Sequence, residues 1–163
     1  MAVKKILTHP EYAHILKQKS VAVRAGEAGL PELIQDLRDT LLATPHAVGL
    51  AAPQIGVTKR VFVLRKDYLL KDLQEQSRFR ASPDKVMTFL NAKIISRKGA
   101  VTDDEGCLSI PGAYLKLVRA EMVKVRALSE RYEDFTEKFT RLAARAVQQE
   151  IDHLDGVLII DRK

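Results

Sequence analysis

One stripe of side chains near the end of the chain constrains whatever folds around it. From about Glu137 to Leu154, Phe139, Leu142, Ala143, Ala146, Val147, Ile151 and Leu154 recur at helical spacing, and Glu150 falls among them. A helix with so broad an apolar face must be wrapped by other elements. Gly156 lies just past its end, where a left-handed C-terminal cap is expected. A carboxylate within the stripe is costly to bury unless it is paired or bonded. Glu150 is therefore either a satisfied structural residue or an acid whose pKa is raised for proton transfer.

The rest of the chain supplies the wrapping. Pro31 suits the first turn of a helix carrying Leu33, Ile34, Leu37 and Leu41, which should end near Ala43-Thr44-Pro45. Arg60 to Leu64 reads as a strand buried on both faces, and Val86 to Ser96 has strand composition. Val123, Val125 and Ala127 alternate with Lys124 and Arg126, the period of a half-buried strand. Residues 66–85 are rich in charge and are expected to form a long exposed loop or a partly helical insertion. Strands precede the main helix, so the fold class is α+β, with small antiparallel or mixed sheets packed around a central C-terminal helix. The length of 163 residues suits a single domain over 1–163.

No apolar run approaches the ~18–20 residues needed to cross a bilayer, and the stretch after Lys4-Lys5 is too short for a signal peptide. A cytoplasmic location is expected. The net charge of +6 is spread along the chain and aromatics do not interleave with it, which argues against sequence-specific nucleic-acid binding. Cys107 is the single cysteine, so no intramolecular disulfide forms. Taken alone, it is core filler, a nucleophile or a metal ligand.

Gln149 and His153 are four apart and share one helix face. In the pattern H-E-x-x-H, two histidines at that spacing bind a metal and the Glu beside the first is the general base. Here Gln149-Glu150-Ile151-Asp152-His153 keeps the Glu and the second His, and Gln replaces the first. By itself this is half a motif.

Three segments together say more. Gly49-Leu50-Ala51-Ala52-Pro53-Gln54, Glu105-Gly106-Cys107-Leu108-Ser109 and Glu150-Ile151-Asp152-His153-Leu154-Asp155-Gly156 resemble, in order, the three signature motifs of peptide deformylases. The resemblance implies a metal-dependent hydrolase of N-terminal processing that removes the formyl group from N-formyl-methionyl nascent peptides. It implies one divalent transition metal, Fe²⁺ or its Zn²⁺ or Ni²⁺ substitutes, at Cys107, Gln149 and His153. Glu150 falls on the general acid/base, and the side chain of Gln54 and the backbone N–H of Leu108 on the oxyanion donors. Val48 and Gly49 fall on the substrate-binding wall. The ribosome is a second candidate partner, and no membrane partner is implied.

The chain departs from the family pattern at Gln149, at Ala47 where the family usually has Gly, and in stopping soon after Ile159-Ile160. A neutral amide oxygen is a harder and weaker ligand than imidazole, so the site is weakened or loses its metal. His9, His14 and His46 have no supporting spacing as replacements. Two further readings stay open: an inactive deformylase-like protein that binds a peptide, the ribosome or another partner, and a hydrolase of a different amide.

Overall fold

A computed structural model describes residues 2–162; Met1 and Lys163 lie outside the described residues. In chain order it contains helices α1 (Ala13–Leu16) and α2 (Leu30–Ala43) and strands β1 (Gly49–Ala51) and β2 (Val61–Arg65). Two short helices follow, α3 (Lys66–Leu69) and α4 (Arg78–Ala81). Then come β3 (Val86–Lys98), β4 (Val101–Cys107), β5 (Ile110–Arg119), β6 (Met122–Leu128), β7 (Asp134–Thr140) and helix α5 (Arg141–Leu154). Strands β1, β2, β3, β6 and β7 form one antiparallel sheet in the order β1-β2-β3-β6-β7. Strands β4 and β5 pair separately as a two-stranded antiparallel sheet. The architecture is α+β.

The apolar run at residues 61–64 has a direct cause. Val61 and Val63 face the cluster built with Leu33, Leu37 and Leu41 of α2. Phe62 and Leu64, on the opposite face, join the cluster with Ala143, Val147 and Ile151 of α5. The sheet is thus covered on both sides, and β2 has no solvent face to make polar. In β6 the alternation is half-buried as expected: Val123, Val125 and Ala127 are buried and Lys124 and Arg126 are exposed.

Helix α5 begins later than its apolar stripe suggests. Residues 134–140 are an edge strand, with Phe139 opposite Val123, Glu137 opposite Val125 and Phe135 opposite Ala127. Phe135, Glu137 and Phe139 point inward at a period of two, and one residue, Phe139, satisfies the strand period and the helical one together. Gly156 follows α5 with φ 75°, and a Cβ there would sit 2.4 Å from the Lys17 carbonyl oxygen. Only glycine fits both demands.

Residues 66–85 are not an exposed loop. They form α3, a 3-10 turn at Leu70–Asp72 and α4, and they bury Leu69, Leu73 and Phe79 in the α5 cluster. The Phe79 ring packs 5.4 Å from that of Phe89 and 5.6 Å from that of Phe135. Arg80 donates to the Leu73 carbonyl at 2.8 Å, and Lys66 donates to the carbonyls of Phe79 and Ser82, so two of its cations cap backbone while most of its other charges stay exposed. Among the described residues, no helix is long and apolar enough to cross a membrane.

Candidate active site

Helix α5 carries three of the site residues as a consequence of how it is buried. Its apolar stripe faces the sheet, which places Glu150 and His153 beneath the surface at 3% and 1% exposure. Strand β4 ends at Cys107, and the turn to β5 brings the Cys107 Sγ to 3.4 Å from the His153 Nε2. Strand β1 passes on the other side. A Cβ on Gly49 would lie 2.8 Å from the Glu150 Oε1, so this glycine makes room for the carboxylate. A cavity of about 520 Å³ opens over these groups, lined among others by Val48, Gly49, Gln54, Cys107, Leu108, Gln149 and Glu150.

Gln54 has one orientation available. Its Oε1 accepts the Ala51 N–H at 2.9 Å, which leaves Nε2 to donate to the Ser109 Oγ at 3.1 Å and to lie 3.9 Å from the Cys107 Sγ. Near the N-terminus the backbone ties both loops together, with the Leu7 N–H donating to the Gln54 carbonyl and the His9 N–H to the Ser109 carbonyl.

Burial sets the electrostatics. It pushes the Glu150 carboxyl up to about 8, and the nearby Glu105 charge adds to the effect. The Glu150 Oε2 has no hydrogen-bond partner among the described residues. Burial drives the Cys107 thiol up to about 12 and the His153 imidazole down to about 4. His153 is therefore a neutral nitrogen donor at pH 7, and Cys107 ionises only where a cation offsets its burial.

Beneath these groups lies a buried ionic network. Arg119 holds both oxygens of Glu105, at 2.7 and 2.9 Å, and reaches Asp152 at 2.6 Å. Arg145 donates to Glu105 at 2.5 Å, and Arg162 closes on Asp152. Burial alone would raise the Glu105 carboxyl, but Arg119 and its other donors outweigh it and hold it below the usual range. Gln149 joins this network through its Nε2, which donates to the Glu105 Oε1 at 2.8 Å and to the Gly106 carbonyl at 3.3 Å.

The sequence model of the polypeptide deformylase family matches residues 3–163. This chain belongs to that family. It is similar to peptide deformylase 1 of Bacillus subtilis, 40% identical over 99% of this chain and 91% of the relative. The peptide deformylase of Thermomicrobium roseum is 38% identical over 99% and 86% of the two chains. Among solved structures, a class I type b peptide deformylase from Acinetobacter baumannii, crystallised with Met-Ala-Ser bound, matches with a TM-score of 0.81. It is 30% identical, over 99% of each chain. A peptide deformylase from Legionella pneumophila matches with a TM-score of 0.83 at 35% identity, over 99% of this chain and 86% of that one.

The deformylase motifs converge as their order in the sequence suggests: Gln54, Cys107, Leu108, Glu150, Gln149, Val48 and Gly49 line the cavity, and His153 lies under Cys107. His46 also lines the cavity, but no group of three His, Cys, Asp or Glu side chains is placed to hold a metal among the described residues. The histidines considered as replacements for Gln149 therefore do not complete the set. The chemistry of the donor set still suits a metal: Cys107 Sγ and His153 Nε2 face each other, and Gln149, whose amide carries an oxygen, lines the same cavity as Cys107.

Sequence reasoning missed Arg119, Arg145, Asp152 and Ser109. One signal was available for two of them. Arg145, Gln149 and Asp152 stand at i, i+4 and i+7 of a helix and so share a face, where three polar groups in a row are unexpected unless they meet partners.

Proposed function

We propose that this chain, as a single-domain enzyme, hydrolyses the formyl group from N-formyl-methionyl peptides, leaving formate and a free amino terminus. The observation that carries this reading is the 3.4 Å approach of the Cys107 Sγ to the His153 Nε2, with the Glu150 carboxyl, whose Oε2 has no hydrogen-bond partner among the described residues, lining the cavity beside Cys107. Cys107, His153 and Gln149 would hold one divalent transition metal, Fe²⁺ in the resident form. Bound there, such an ion supplies Lewis acidity and lowers the pKa of a water toward neutrality.

The chain's own groups do the rest. Glu150 takes the proton of the water that adds to the formyl carbon, then delivers it to the departing amine as the C–N bond breaks. Burial, which raises its pKa, favours the acid half of that transfer. Gln54, with its Oε1 already engaged by Ala51, presents Nε2 as a donor to the developing oxyanion, and the Leu108 N–H is the second donor. Val48 and Gly49 line the wall against which the methionyl side chain and the peptide backbone pack.

The substrate class fits the peptide found on the Acinetobacter baumannii relative, Met-Ala-Ser. Nascent chains in the cytoplasm are the natural source of formylated peptides, and the ribosome is where they would be met. The presence of Cys107, Glu150 and Gln54 in one cavity, with His153 directly behind Cys107, favours catalysis over a purely binding role. The test is formate release from a formyl-Met-Ala-Ser peptide by protein purified without oxygen, with metal content measured on the same sample. One equivalent of metal and steady formate release are expected; protein carrying metal yet releasing no formate would refute the assignment.

A further inference from the structure

The Gln149 carboxamide can present either of two ends to the cavity, and they are chemically opposite. The NH₂ end donates hydrogen bonds and cannot hold a cation; the oxygen can. The surroundings decide between them. Nε2 has two partners, the Glu105 Oε1 at 2.8 Å and the Gly106 carbonyl oxygen at 3.3 Å. Both accept, and the Glu105 carboxylate is itself gripped by Arg119 and Arg145 in the buried network. Turning the amide over would set its oxygen against two acceptors and lose both bonds. The oxygen therefore stays on the side away from Glu105, and no described residue donates to it. Gln149 lines the cavity with Cys107 and stands one helical turn before His153.

We propose that Glu105 is a positioning residue which, by holding the Gln149 NH₂ group, turns the Gln149 oxygen into service as the third metal donor. The centre is then a sulfur, nitrogen and oxygen set from Cys107, His153 and Gln149. This rests on the metal-dependent reading above and specifies how that site survives without a second imidazole. A neutral amide oxygen binds a transition metal more weakly than imidazole. The site should therefore load less tightly than a version with histidine at this position, and more tightly than one with no donor there.

Titration of apo-protein with Co²⁺ tests this without turnover, because the absorption of a Co²⁺–thiolate bond reports occupancy at Cys107. Q149L removes the donor and leaves the Arg119 and Arg145 pairings of Glu105 untouched, so it stands even if a Glu105 variant does not fold. Q149L should bind Co²⁺ at least about tenfold more weakly than wild type, and Q149H more tightly. X-ray absorption should count one imidazole in wild type and two in Q149H.

E105D, which keeps the charge but draws the carboxylate back, should weaken Co²⁺ binding in wild type and have no further effect in the Q149L background. Equal affinity of Q149L and wild type overturns the donor role, and additive effects of E105D and Q149L overturn the positioning role. Binding by neither wild type nor Q149H would overturn the metal-dependent reading itself.

Discussion

The Glu150 carboxylate occupies the space that a side chain on residue 49 would need. A Cβ added to Gly49 would lie 2.8 Å from the Glu150 Oε1 and 2.6 Å from the Leu64 Cδ2. Both are ends of side chains, so the backbone of G49A can stay while Glu150 and Leu64 shift. We expect a stability loss of about 1–3 kcal/mol from overpacking, and a loss of turnover of about 10²-fold from the misplaced acid. Thermal unfolding and formate release on the same preparation check this; unchanged turnover would show that Glu150 tolerates displacement and is not the proton carrier.

E150Q removes the proposed proton carrier while keeping its shape. A turnover loss of about 10²–10⁴-fold is expected, with Co²⁺ binding close to wild type. The pairing of outcomes matters. Lost turnover with lost metal would make Glu150 a determinant of the metal site rather than of proton transfer.

Much of this site was legible in the sequence because its residues come in contiguous motifs. Gln54 lies in a short 3-10 turn pinned by the Ala51 N–H, Cys107 closes β4 with Leu108 just after it, and Glu150 and His153 share one helix. What was not legible depended on partners far along the chain. Arg119 looks like an ordinary strand residue until β5 is folded against α5, where it meets Glu105 fourteen residues away and Asp152 thirty-three away. Residues 66–85 are the partly helical alternative, but their burial was not legible, for a related reason. Their apolar side chains, Leu69, Leu73 and Phe79, form no sustained stripe, and their burial comes from the cluster they join.

Arg119 is 4% exposed and sits between two carboxylates. Removing it leaves two buried negative charges short of a partner, although Arg145 and Arg162 remain. R119M should cost about 3–5 kcal/mol in denaturant-induced unfolding, the range for breaking a buried pair from one side. A loss under about 1 kcal/mol would put the network in the class of surface pairs that contribute little.

Glu137 offers a pH test remote from the proposed metal donors. On edge strand β7 it accepts from the Ser77 Oγ at 2.8 Å and the Arg78 N–H at 3.1 Å, yet burial raises its carboxyl above the ordinary value in spite of them. In the unfolded chain it titrates at the ordinary value. Between the two pKa values the folded protein binds more protons than the unfolded one, so stability from this group falls as pH rises through that window. Below the unfolded value the contribution is fully present; above the folded value it is gone. E137Q keeps an oxygen for Ser77 and Arg78 and cannot ionise. The difference in unfolding free energy, E137Q minus wild type, should therefore grow more positive from pH 4 to pH 7. Paired urea denaturation curves at the two pH values measure it. A difference that shrinks over that interval would mean the hydrogen bonds from Ser77 and Arg78 outweigh burial and favour the charged form.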